Sequence, residues 1–103
     1  MAHAIYYCAY KLKKGSSVPD FLQAAETLNE EYISKQRGYI SWKQMVDGET
    51  WADMISFETM EDLNAFEEAS QTPNAFALQF YAFINLNSCK VHRFSLEREY
   101  ESN

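Results

Sequence analysis

The 103-residue chain is poor in several residue types at once, with three glycines, two prolines, two cysteines and two histidines. So few glycines leave no phosphate-cradling loop, because nucleotide-binding signatures place several within one short span. Cys8 and Cys89 stand far apart, with no CxxC motif and no Cys/His cluster. That spacing excludes the usual zinc arrangements, and the pair reads as two buried free thiols. Basic residues are also scarce: nine Lys and Arg against fifteen Asp and Glu give a net charge of −6 and a pI near 4.8. Binding by counterion release is opposed by that balance, so neither nucleic acid nor anionic membrane is an expected partner. No stretch approaches the roughly 20 consecutive apolar residues of a membrane span, and the N-terminus lacks a basic segment leading into an apolar one. A cytoplasmic location is therefore expected. No serine, cysteine or lysine stands in a nucleophile motif, and the acids lack metal-ligand spacing. Hydrolase, kinase and metalloenzyme readings thus lack their parts, and no metal or cofactor is expected.

What the chain has is apolar and aromatic material, 47% and 16% of its residues, at a length that suits one domain over 1–103. Residues 4–13 are rich in β-formers and end at Lys14-Gly15-Ser16-Ser17, a strand followed by a loop. Ser17 suits an N-cap, Pro19 the first turn, and Phe21, Ala25, Leu28 and Tyr32 recur at helical spacing, which predicts a helix over 18–36 ended by Gly38. Two β-rich runs, 39–46 and 49–57, flank Asp47-Gly48, a dipeptide suited to positive φ at both centres of a type I′ turn. Thr59 caps a second helix with Glu61 and Asp62 in its first turn and Met60, Leu63, Phe66 and Ala69 as its apolar stripe. Residues 74–85 are apolar on nearly every side and are expected to seal a dimer rather than lid a pocket; 88–96 reads as the last strand and 97–103 as a charged tail.

A two-residue Asp47-Gly48 turn would pair Val46 with Glu49, Gln44 with Trp51, Trp42 with Asp53 and Ile40 with Ile55 on one face. Tyr39, Ser41, Lys43, Met45, Thr50, Ala52, Met54 and Ser56 would occupy the other. Strand, helix, hairpin, helix, strand defines an α+β, ferredoxin-like β-α-β-β-α-β antiparallel sheet with both helices on one face. The bare face, with its methionines, is too apolar to be left wholly wet, so a homodimer of the dimeric α/β-barrel kind is expected.

Several segments carry a resemblance: Gly38-Tyr39-Ile40-Ser41-Trp42, the Asp47-Gly48 turn, and the run from Trp51 through Phe57 into the Thr59-capped acidic helix ending at Leu63. In element order and in these segments the chain resembles the dimeric α/β-barrel superfamily, and within it the antibiotic-biosynthesis-monooxygenase-like domains. The resemblance implies a small-molecule pocket between sheet and helices, on the side of the aromatic that ends the third strand, here Phe57. It also implies cofactor-independent oxidation of an aromatic or polyketide-like compound. Haem-degrading relatives within that superfamily require a histidine on the helical segment after the third strand and an asparagine on the first strand, and this chain has neither, with no histidine between His3 and His92.

The residues expected to line the pocket are Trp42, Trp51 and Phe57, with a phenolic donor from Tyr6, Tyr7 or Tyr10 of the first strand, Tyr7 foremost; Asp53 and His92 are the candidate proton-handling groups. Each has a plain structural reading beside the functional one. Tryptophans fill cores, tyrosines favour strands, and a lone strand histidine is more often a surface group. Asp53 stands out because a carboxylate in mid-strand on an apolar face must be paired, solvated or raised in pKa. The rival expectation is a non-catalytic dimeric scaffold or stress-associated protein, with both tryptophans fully packed and Asp53 closed in a hydrogen-bonded pair.

Overall fold

In a computed structural model, which describes residues 3–102, the chain runs β1 (Ala4–Leu12), α1 (Val18–Glu31), one turn of 3-10 helix (Ile33–Lys35), β2 (Tyr39–Asp47), β3 (Thr50–Phe57), α2 (Met60–Ala69), α3 (Ala75–Tyr81) and β4 (Ile84–Ser95). The strands form one antiparallel sheet in the order β2-β3-β1-β4. This is the ferredoxin-like α+β architecture read from the sequence, with α3 added before the last strand. Alternate residues Ala4, Cys8 and Tyr10 of β1 and Ile55 and Phe57 of β3 meet Phe21, Ala25, Leu28, Leu63, Phe66 and Phe80 in one core. The helices therefore cover a single face of the sheet.

The Ser17 hydroxyl accepts from the Asp20 amide at 3.3 Å and starts α1. The helix stops at Glu31, short of the predicted Gln36, because Tyr32 leaves helical geometry at φ −138°. Ile33 lies about a third of a turn round from Phe21 on an ideal helix. The tighter 3-10 turn lets Ile33 reach the core instead, where it is buried. Gly38 then takes φ +78°, and a Cβ there would come within 2.0 Å of Asp62 Oδ2 at the start of α2. Only glycine meets both demands. Arg37 Nε donates to Asp62 Oδ1 at 2.6 Å, tying this turn to α2.

The hairpin is present, but its loop differs from expectation. Asp47 pairs with Thr50, so the two loop residues are Gly48 and Glu49, and Val46 faces Trp51, Gln44 faces Asp53 and Trp42 faces Ile55. Gly48 has φ +61° and no described non-glycine residue has positive φ, the pattern of a type II′ turn rather than I′. The register is displaced by two residues, an even number, so nearly every side chain keeps its assigned face. The exception lies at the other end, where the ladder slips between Tyr39 and Ser41. This bulge turns Tyr39 toward the helices, where its hydroxyl donates to Asn29 Oδ1 at 3.0 Å, and leaves Ile40 42% exposed, the reverse of the predicted placement.

Thr59 and Asn74 cap α2 and α3. The apolar 74–85 segment does not simply face outward as a seal: Ala77 and Phe80 of α3 turn into the core. The uncovered face of the sheet carries Tyr7, Met45, Ala52, Met54, His92 and Phe94, all partly or largely exposed. Among the described residues no helix is long and apolar enough to cross a membrane.

Candidate functional site

Between sheet and helices lies a cavity of about 350 Å³. Strand alternation points Tyr6, Cys8 and Tyr10 of β1, Trp42 of β2 and Asp53 of β3 into it, while Phe66, Phe80 and Tyr81 roof it from α2 and α3. Its volume falls within the range of small-molecule sites, and an apolar wall with a few convergent polar groups is their usual composition. A larger hollow of about 830 Å³ is an open groove beside the β1–α1 turn, edged by Lys11, Lys13, Lys14 and Trp51. It contains no buried ionisable group, so the chemistry concentrates in the smaller space.

Asp53 is 5% exposed and accepts a hydrogen bond from Tyr10 Oη at 2.9 Å. Burial penalises its charged form and pushes its pKa up to about 7, against the opposing pull of Tyr10 and the nearby Trp42 and Gln44 side chains. Burial, followed by the Asp53 charge, raises the Tyr10 phenol, which stays a protonated donor. Trp42 Nε1 and Gln44 Nε2 are buried and have no partner of hydrogen-bonding geometry. Gln44 lies directly across the ladder from Asp53 but does not line the cavity, so of the two unsatisfied donors only Trp42 borders it beside the Asp53 carboxyl. A ligand bearing both an acidic proton and a carbonyl oxygen would match that set. At the rim Glu67 accepts from Arg93 Nε.

Of the residues expected from the sequence, Asp53 and Trp42 meet in this cavity. Trp51 does not line it: its ring packs edge-on against Phe21 at 5.1 Å and borders the outer groove. Phe57 is 0% exposed, sealed behind Phe66 at a ring separation of 5.2 Å, and is core. Tyr7 and His92 are cross-strand partners on the uncovered face, where His92 stacks on Phe94 at 5.4 Å, so neither reaches Asp53. The reason is strand parity. Cys8 faces inward, its neighbour Tyr7 must face outward, and the β1–β4 ladder places His92 beside Tyr7. Of the three first-strand tyrosines that could supply a phenol, Tyr10 is the one bonded to Asp53; its shared parity with Cys8 is visible in the sequence, but its place diagonal to Asp53 across the β1–β3 ladder is not.

No family model and no curated protein matches the chain. Solved structures with the same fold do match. A point mutant of SnoaB, a cofactor-independent oxygenase from Streptomyces nogalater, superposes with a TM-score of 0.74 at 8% identity over 97% of this chain and 98% of its own. A candidate antibiotic biosynthesis monooxygenase from Bordetella bronchiseptica gives 0.74 at 10% identity over 98% and 100%. A dimeric ferredoxin-like protein from an uncultured marine organism gives 0.67 at 10% over 100% and 95%. At these identities the likeness establishes the fold. The resemblance to antibiotic-biosynthesis-monooxygenase-like domains read from the sequence holds at that level.

Proposed function

We propose that this protein is a homodimeric small-molecule-binding protein that acts as a cofactor-independent monooxygenase on a neutral aromatic or polyketide-like hydroxyketone. The observation that carries the reading is the buried Asp53 carboxyl, with a pKa near 7, bonded to Tyr10 in an aromatic-walled cavity. A general base works best with a pKa close to ambient pH. Asp53 would take a proton from a carbon flanked by aryl rings and a conjugated carbonyl, while Trp42 donates to the oxygen where negative charge gathers. The resulting carbanion is electron-rich enough to reduce dioxygen itself. A carbon–oxygen bond forms, and the hydroperoxide loses water, leaving one oxygen atom in a new carbonyl and the other in water.

Oxygen uptake with dithranol, an anthrone of this chemistry, tests the reading. Turnover by the wild type and its loss in Asp53→Asn is the expected result; equal rates in both proteins would remove Asp53 from the mechanism. The scaffold reading has one observation in its favour, the Tyr10–Asp53 bond. The open cavity and the partly exposed Trp42 weigh against it.

A further inference from the structure

Cys8 and Cys89 are remote in sequence but line the same cavity. Cys8 projects from the centre of β1 and is buried, whereas Cys89 stands on β4 and is partly exposed. Cys8 is the ladder partner of Val91, and the register breaks immediately beyond the Ala9–Lys90 pair, with Lys11 next meeting Asn85. Cys89 therefore belongs to a bulge rather than to the regular ladder, which frees it to lean across the strand toward Cys8. Cys89 directly follows the Ala9–Lys90 pair in the direction away from Val91, so it stands diagonally across from Cys8 and borders the same cavity. No other cysteine exists in the chain.

We propose that Cys8 and Cys89 are a reversible disulfide pair, formed by hydroperoxides, which ties β1 to the bulge of β4 at the rim of the cavity. Cys89, the more exposed, acts first. Its thiolate attacks one peroxide oxygen, the O–O bond breaks, and a sulfenic acid forms as water leaves with the second oxygen. The Cys8 sulfur then attacks the Cys89 sulfur, the S–S bond forms and a second water departs. Two thiols and one hydrogen peroxide thus become one disulfide and two waters, the thiols being oxidised and the peroxide reduced.

Burial pushes the Cys8 thiol up to about 12 and raises Cys89 as well, while the contact with Cys8 draws Cys89 back down. The order of attack follows from that asymmetry, and oxidation should be slow at neutral pH and accelerate as pH rises. The pairing does not rest on the oxygenase reading, since it needs no substrate.

The test uses the reduced full chain, treated with hydrogen peroxide without denaturant, blocked with iodoacetamide and weighed intact. Expected is a monomer that takes up no label, regains both labelling sites after dithiothreitol, and forms faster at higher pH. The oxidised form should unfold roughly 5 °C or more above the reduced form, because the bridge closes a loop spanning most of the chain. Cys8→Ser and Cys89→Ser should each stop at a singly oxidised sulfur or an intermolecular dimer. Two labelled thiols after oxidation, intermolecular bridging in the wild type, an unchanged or lower Tm, or a bridge forming only in denaturant would each overturn the proposal.

Discussion

At the scale of single residues, Asp53 and Tyr10 make the sharpest claims. The Asp53 carboxyl titrates near 7 in the folded chain against 3.8 in its ordinary state. The native state therefore holds a proton that the unfolded chain has released, and stability falls as pH rises from about 4 through 7. The gap corresponds to a loss on the order of 2–4 kcal/mol by pH 8. Asp53→Asn should abolish that slope and be the more stable protein above pH 7, as followed by urea denaturation across pH. The same substitution should lower turnover by about 10²–10⁴-fold. Wild-type activity should rise with pH around a midpoint near 7, the value of the Asp53 carboxyl. Because the Tyr10 bond favours the carboxylate, Tyr10→Phe should move that midpoint upward; a downward move or none would separate Tyr10 from the base. Asp53 was legible in the sequence as a mid-strand acid on an apolar face. Tyr10 was legible only as one of three candidate donors on the first strand, alike until β3 is laid beside them.

At the scale of elements, the turn at Gly38 joins the helical layer to the hairpin. Gly38→Ala meets a left-handed backbone and the Asp62 side chain together. It should cost about 2–4 kcal/mol in chemical denaturation, whereas Gly48→Ala, with open space around it, should cost only about 1–2 kcal/mol. Equal losses would show that the contact with Asp62 adds nothing. Strand and helix identities were readable because caps, turn residues and periodicities are local. Two features were less so. The hairpin register moved by two residues because Gly48 accepts positive φ alone, and Asp47 was free to remain in the strand. The Tyr39 bulge follows from a hydrogen bond to Asn29 on α1, a partner ten residues upstream that no strand pattern encodes.

At the scale of the whole molecule, the sheet divides two surfaces with different surroundings. The covered side holds the Asp53 cavity; the uncovered side presents Met45, Met54, Tyr7, His92 and Phe94, the last 49% exposed. Pairing that face with a second copy is the expected cover, and analytical ultracentrifugation at micromolar concentration should find a dimer that Met54→Lys converts to a folded monomer. A wild-type monomer there would contradict the pairing. The division into faces was readable from strand alternation, but the membership of the cavity was only half so. Trp42 and Asp53 were placed correctly, whereas Trp51 and Phe57 share their face and are walled off by Phe21 and Phe66, a matter of helix packing. The central claim is that the space around Asp53 receives a neutral aromatic hydroxyketone. A crystal structure grown with alizarin tests it most directly. The expected result is the ligand seated in the cavity against Trp42, with one oxygen within hydrogen-bond distance of Asp53. Alizarin seated instead on the His92 face, or a cavity closed by its own side chains in the liganded crystal, would contradict it.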